Sequence, residues 1–219
     1  MGEVRVACPD FVSAGLLPAA IEKLARRSSN YFVKVVQLNT SSLEFRDLHE
    51  RNVDLALARV PTTFADDDLN VEILFDDLHY IVAGLQSRWA RRRSIKLAEL
   101  VDEPWVLPSS PVIDNVLKAA FESRRLKGPL VAVSALSIPL RNQLLATGRY
   151  LSVLAISVLQ SNAKQWSLKA LPIDISLTPP PVAIITLRNR TIRPVVQRFI
   201  EDLRTVAKTM TPAVGTRRG

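Results

Sequence analysis

The residues best suited to do chemistry in this chain are small hydroxyls, an amide and one arginine. They cluster where the hydrophobic pattern predicts strands to end. Pro9 and Asp10 follow the apolar run 4–8, Asn39, Thr40 and Ser41 follow 33–38, and Arg59 closes 54–58. Further along, Pro108, Ser109 and Ser110 follow 105–107, and Ser134, Ala135, Leu136 and Ser137 follow 130–133. In open parallel sheets small ligands bind beyond the carboxyl ends of the strands, so these positions form the candidate site. Their hydroxyls also have local work. Ser41-Ser42-Leu43-Glu44 matches a capping box, Ser110-Pro111 joins an N-cap to a proline at the first helical position, and Ser137 is placed to cap a helix from Ile138. Several helix starts facing one cleft present unpaired N–H groups and positive dipole ends, which suit an anion. Arg59 adds a planar fork that can hold a carboxylate by two parallel hydrogen bonds. The set predicts a binding cleft in which Arg59 and Ser41 hold an anionic group while Ser110 and Ser137 close from the other lobe.

No catalytic pair accompanies this set. The sequence has no GxSxG elbow and no Walker-type loop, and its seven glycines make no GxGxxG. Cys8 is the single cysteine, which excludes an internal disulfide and a multi-cysteine metal site. His49 and His79 stand outside any zinc-ligand spacing. The run Asp66-Asp67-Asp68 follows Pro61-Thr62-Thr63 in what reads as an exposed loop, so solvated surface explains it better than a metal. The expectation is a protein that is not an enzyme, with no metal and no cofactor. At 219 residues, 47% hydrophobic and 23% charged, the chain has an ordinary globular composition and length for two modest cores. The net charge of +8 invites nucleic acid, but it is diffuse, and its densest run, 88–96, reads as a wet loop. No segment reaches the ~18 consecutive apolar residues of a membrane span. A strand-like segment follows Met1-Gly2 directly, without the basic and apolar regions of a secretory leader. These readings predict a cytoplasmic chain with no membrane partner.

The elements that would position the site alternate. Residues 4–8 read as a strand, after which Leu16, Leu17, Ala20, Ile21 and Leu24 recur at helical spacing on one face. A strand at 33–38, a helix at 42–51, a strand at 54–58 and an extended stretch at 71–84 follow. The pattern then restarts with a strand at 105–107, a helix at 112–125, a strand at 130–133, a helix at 138–147 stopped by Gly148, and a strand at 150–154. Such alternation argues for parallel sheets with helices on their faces. After Pro179-Pro180-Pro181 come a strand at 182–187 and a long helix with Ile192, Val195, Val196, Phe199, Ile200, Leu203 and Val206 on one face. If that helix returns to cover the first lobe, the chain crosses between lobes twice. The fold class is α/β: two Rossmann-like lobes joined by two crossover strands, with a ligand cleft between them. The expected division is 3–84 with 186–209 as lobe I, and 85–185 as lobe II.

Several runs resemble a known family. Residues 4–18, ending Gly15-Leu16-Leu17-Pro18, resemble the opening of LysR-type effector domains. The run Leu48-His49-Glu50-Arg51-Asn52-Val53-Asp54-Leu55-Ala56-Leu57-Ala58-Arg59 resembles that family's Leu-x-x-Gly-x-Leu-Asp-Leu-Ala-Leu signature. Residues 71–77 resemble its next strand, and Leu97-Ala98-Glu99-Leu100 before Glu103-Pro104-Trp105 resembles the stretch leading into its second lobe. Similarity extends from about residue 3 to 209, nearly the whole chain. The resemblance implies a fold like type-2 periplasmic binding proteins and a regulator of transcription that senses a small-molecule effector. DNA would be reached only through an N-terminal winged helix-turn-helix missing from this chain. It also implies a homodimer or homotetramer in which the first helix, through the flank carrying Ala19 and Lys23, packs on the second lobe of a neighbour. Carried over by position, the effector contacts are Phe11, Ser13, Ser41, Arg59, Ser109, Ser110, Leu136 and Ser137. The sequence departs from the family at Phe11, where carboxylate-binding members often have a hydroxyl, and at Gly148-Arg149-Tyr150-Leu151, where the family has Gly-x-Gly-Ile. Ala155 replaces the proline that closes the following strand. A solute-binding protein of a transporter would share the fold, as would an enzyme on the same scaffold, for which Asp10 and Cys8 are the candidates.

Overall fold

The computed structural model describes residues 2–27, 29–38, 43–175 and 177–210. In chain order the elements are β1 (Gly2–Cys8), α1 (Asp10–Ala14), α2 (Leu16–Arg27), β2 (Tyr31–Gln37), α3 (Arg46–His49), β3 (Leu55–Arg59), β4 (Leu69–Phe75), β5 (His79–Gly84) and β6 (Pro104–Leu107). Then follow α4 (Pro111–Glu122), β7 (Leu130–Ser134), α5 (Ile138–Ala146), β8 (Leu151–Ala155), α6 (Ile156–Asn162), β9 (Leu168–Ala170), β10 (Val182–Leu187) and α7 (Pro194–Met210). Two compact units result, one formed by the described residues up to Asp77 and those from Pro180 onward, the other by Leu78–Pro179.

The first unit is built on a sheet of order β2-β1-β3-β10-β4. β1 runs parallel to both β2 and β3, whereas β10 lies antiparallel between β3 and β4. The sheet is therefore mixed rather than wholly parallel, because its fourth strand arrives from the returning chain. Every residue of β3 is buried, as expected of a central strand covered on both faces. On one face Val4, Val6, Leu55, Leu57 and Ile184 meet Leu16, Leu17, Ala20 and Leu24 of α2 and Val196, Phe199, Ile200 and Leu203 of α7. The long terminal helix thus does return to the first unit. On the other face Ala7, Ala56, Ala58 and Ala183 make room for Phe45, Leu48 and Val53.

The second unit has the order β7-β6-β8-β5-β9, with β7, β6 and β8 parallel and β5 antiparallel to β8 and β9. Trp105 and Phe121 meet edge to face at 6.0 Å in its main core, and the Trp105 indole donates to the Leu100 carbonyl at 3.2 Å. Gly148 follows α5 at φ +74°, the left-handed conformation that makes glycine the stop residue there.

The structure differs from the sequence expectation in several elements. Of the helix expected over 42–51 the described residues form α3, with Phe45 at its N-cap in a left-handed conformation (φ 44°); Ser41 and Ser42 of the expected capping box lie outside the described residues. The short helices α1 and α6 and the strand β9 add to the expected set. Pairing places β5 in the second sheet and β10 in the first, on the other side of the boundaries expected at 84/85 and 185/186. In the basic run 88–96, Arg88–Arg91 form a 3-10 turn whose Trp89 is buried, with the guanidinium carbons of Arg88 and Arg92 4.9 and 5.8 Å from its ring. No described helix is long and apolar enough to cross a membrane.

Candidate functional site

Arg59 is the last residue of β3, at the edge of the first sheet where β1 ends in Cys8. Its side chain does not stand open at a rim: it is only 7% exposed and has a counter-ion. Nη2 donates to Asp77 Oδ2 at 3.0 Å, and Nη1 donates to the Pro180 carbonyl, also at 3.0 Å. The Phe11 ring lies against the guanidinium, 4.5 Å from Cζ to the ring centre. Burial lowers the Arg59 pKa to about 10 while Asp77 pulls it upward, so the group stays charged at neutral pH. A guanidinium has five N–H donors. Two of them are engaged by Asp77 and Pro180.

The loop after β1 closes on itself beside this pair. Backbone N–H groups of Val12 and Ser13 both reach the Pro9 carbonyl, turning the chain into α1. Ser13 Oγ lies 3.2 Å from Cys8 Sγ and donates to the same carbonyl at 3.4 Å. Burial raises the pKa of the Cys8 thiol, partly offset by the Ser13 bond, and the nearby Asp10 carboxylate raises it further. That thiol is protonated at neutral pH and is a poor nucleophile.

In the second unit the candidates lie beyond the carboxyl ends of β6 and β7. Ser109 Oγ and Ser134 Oγ are 2.8 Å apart. Ser110 stands at the N-cap of α4 ahead of Pro111, but its hydroxyl makes no capping bond. Ser137 does cap α5, accepting from the Leu140 N–H at 3.3 Å, and Leu136 beside it is exposed. The structure therefore brings Phe11, Ser13 and Arg59 together at one edge of the first unit and gathers Ser109, Ser134 and Ser110 near one edge of the second. Ser41 lies outside the described residues. Sequence reading missed Asp77 and the Pro180 carbonyl. The acidic pair Asp76-Asp77 was visible, yet nothing local marks its second member as the partner of an arginine 18 residues earlier.

Comparison with known proteins agrees with this architecture. The chain is similar to the Synechocystis PCC6803 CcmR regulatory domain (20% identity, TM-score 0.74, covering 96% of this chain and 100% of that one). It is also similar to HinK, a LysR family transcriptional regulator from Pseudomonas aeruginosa (17%, TM-score 0.73, 96% and 70%). A third likeness is to the effector binding domain of QuiR (16%, TM-score 0.72, 96% and 99%). None of the curated proteins matches it by sequence. At these identities the structural likeness establishes the fold. The family profile described as the LysR substrate binding domain matches residues 1–208, nearly the full length, and the chain belongs to that family of effector-sensing regulator domains.

Proposed function

We propose that this domain senses a small metabolite through an oxyanion or comparable acceptor group held at the Arg59 edge. The observation that carries the reading is the state of Arg59 itself: charged, buried at the carboxyl ends of β1 and β3, held by Asp77 and the Pro180 carbonyl, and backed by the Phe11 ring. A guanidinium fixed in place by a counter-ion and a carbonyl keeps its planar fork of donors oriented for a ligand acceptor. Phe11 and Ser13 are the companion contacts in this unit, with Ser41 assigned by family position. Ser109, Ser110, Leu136 and Ser137 are the candidates in the second unit. The neighbours support a small-molecule role, since the CcmR domain is in complex with 2-PG and the QuiR domain with shikimate. In the full-length protein a winged helix-turn-helix would carry the signal to DNA in the cytoplasm, and the domain itself would be no enzyme. Self-association as a homodimer or homotetramer belongs to the same reading.

The test is a thermal-shift screen with small carboxylates, sugars and aromatic acids. A ligand at 100 times its Kd should add about 2.7 kcal/mol of stability. Calorimetry on a hit should then show Arg59→Ala losing about 1.5–3 kcal/mol of affinity, the range for a charged hydrogen bond. Equal affinities for the two proteins would remove Arg59 from the site.

A further inference from the structure

We propose that the second unit carries a basic face that holds the phosphate backbone of duplex DNA without reading its sequence, independently of the effector site. The positive charge that looks diffuse along the chain is unevenly divided between the two units. Leu78–Pro179 holds 13 lysines and arginines against six aspartates and glutamates, so seven of the net eight positive charges belong to the second unit.

Tertiary contacts gather part of this charge on one surface. Ile95 donates its N–H to the Pro172 carbonyl at 3.1 Å and forms a parallel bridge with Ile173. Next along that segment, the Asp174 carbonyl accepts from Arg124 Nη2 at 2.8 Å. Leu126 packs on the same core as Ile95 and Ile173. Segments 91–96 and 124–127, far apart in sequence, are thereby joined through 172–174. The three segments contain seven lysines and arginines, all exposed, and Asp174 as their only acid. Of the neighbouring acids, Glu99, Glu103 and Glu122 already face Arg92, Arg88 and Lys118. Arg91, Arg93, Arg125 and Lys127 have no ion-pair partner among the described residues.

The face is held in place. Ser87 Oγ accepts from the Trp89 N–H at 3.3 Å at the start of the turn Arg88–Arg91, the buried Trp89 ring lies against Arg88 and Arg92, and Lys169 Nζ donates to the Ala90 carbonyl at 2.7 Å. Side chains presented from a fixed backbone lose less freedom on binding. Five of the seven cations are arginines, whose planar fork matches phosphate oxygens. The segments contain no aromatic residue to stack on unpaired bases, which favours a duplex over a single strand. Their larger apolar residues, Ile95, Leu126 and Ile173, pack on the core, leaving none of them to enter a lipid surface.

A short fluorescent duplex of arbitrary sequence tests this by anisotropy. The wild-type chain should bind it in about 50 mM salt, weaken about 100-fold by about 200 mM, and bind a duplex of unrelated sequence equally well. Replacing Arg91, Arg93, Arg125 and Lys127 together by glutamine should flatten the log–log salt dependence by about 0.9 for each lost contact. The pairs Arg91→Gln with Arg93→Gln, and Arg125→Gln with Lys127→Gln, should each remove about half of that, so a folding defect in the quadruple variant, visible in its melting curve, does not decide the matter. Replacing Arg46, Arg51, Arg198 and Lys208 of the first unit by glutamine lowers the net charge equally and should leave the salt dependence as it is. No binding by wild type in about 50 mM salt, equal losses in the two quadruple variants, or tighter binding to single-stranded RNA or to phosphatidylserine vesicles would overturn the proposal.

Discussion

Asp54 shows how much of this molecule depends on single buried charges. Its side chain is only 4% exposed, at the residue before β3, and accepts the Arg5 backbone N–H and the Arg193 Nη2, each at 2.8 Å. Its other oxygen accepts Arg190 Nη2 at 2.8 Å and Arg5 Nη2 at 3.4 Å. Asp54→Ala would leave three partly buried arginines around an empty centre, and urea unfolding should show a loss of about 3–5 kcal/mol, the cost of breaking a buried pair from one side. Arg193→Ala removes one partner of several, from a side chain already 43% exposed, and should cost about 1 kcal/mol or less. Equal costs would mean that Asp54 is held by packing and not by its arginines. The sequence displayed Asp54 within its Asp-Leu-Ala-Leu run, but the arginines lie 49, 136 and 139 residues away. Arg59 repeats the lesson: its type and its place at a strand end were legible, whereas its counter-ion was a tertiary fact. An arginine expected at the rim of a cleft therefore proves to be buried and ion-paired.

At the scale of elements, the parts that were legible are those whose own periodicity exceeds the noise. The apolar stripes of α2 and α7 run for several turns, so their buried faces could be named in advance. α1 has five residues and no side-chain cap, and α3 has four, so neither carries a helical signal of its own; their backbones are set by the turn at Pro9 and by Phe45 and Leu48 packing on the sheet. α7 is further tied to β4 by Arg204, whose Nε and Nη2 donate to the two Glu72 oxygens at 2.7 and 2.8 Å. This bond holds the Glu72 carboxyl below its usual pKa. A carboxylate whose pKa is lowered in the folded state stabilises the fold above the unfolded value, about 4.3 for glutamate, and that stabilisation is lost as pH falls through the lower folded value. Melting curves of wild type and Glu72→Gln should therefore differ at pH 7 and converge in acid. Glu72 is 43% exposed, so the neutral difference should be about 1 kcal/mol or less. A gap that persists below the folded pKa would assign the effect to packing.

At the scale of the whole molecule, the chain leaves its first unit at Asp77 and re-enters at Pro180, and Arg59 is hydrogen bonded to both residues. The double crossing was expected on the condition that the long amphipathic helix at the end of the sequence returns to a first lobe with only two clear helices, and α7 does pack there. Among the described residues each sheet ends on one side in a strand with no further partner: β2 in the first, with Phe32 and Val35 exposed, and β7 in the second, with Leu130 and Val131 exposed. Unpaired strand edges bearing large apolar side chains invite pairing with another chain unless they are covered. Lys34 is the only charge on β2, and β7 carries none. A second copy of this chain would cover them, at a surface other than the first-helix flank through which the family resemblance implies self-association. Sedimentation at micromolar concentration should show a dimer or larger species. Replacing Phe32 and Val35 together by lysine should shift it towards monomer while leaving far-UV circular dichroism unchanged, because both side chains already face solvent. A wild-type protein that stays monomeric over that range would count against association through either edge, and a double variant that stays dimeric would remove β2 from the interface.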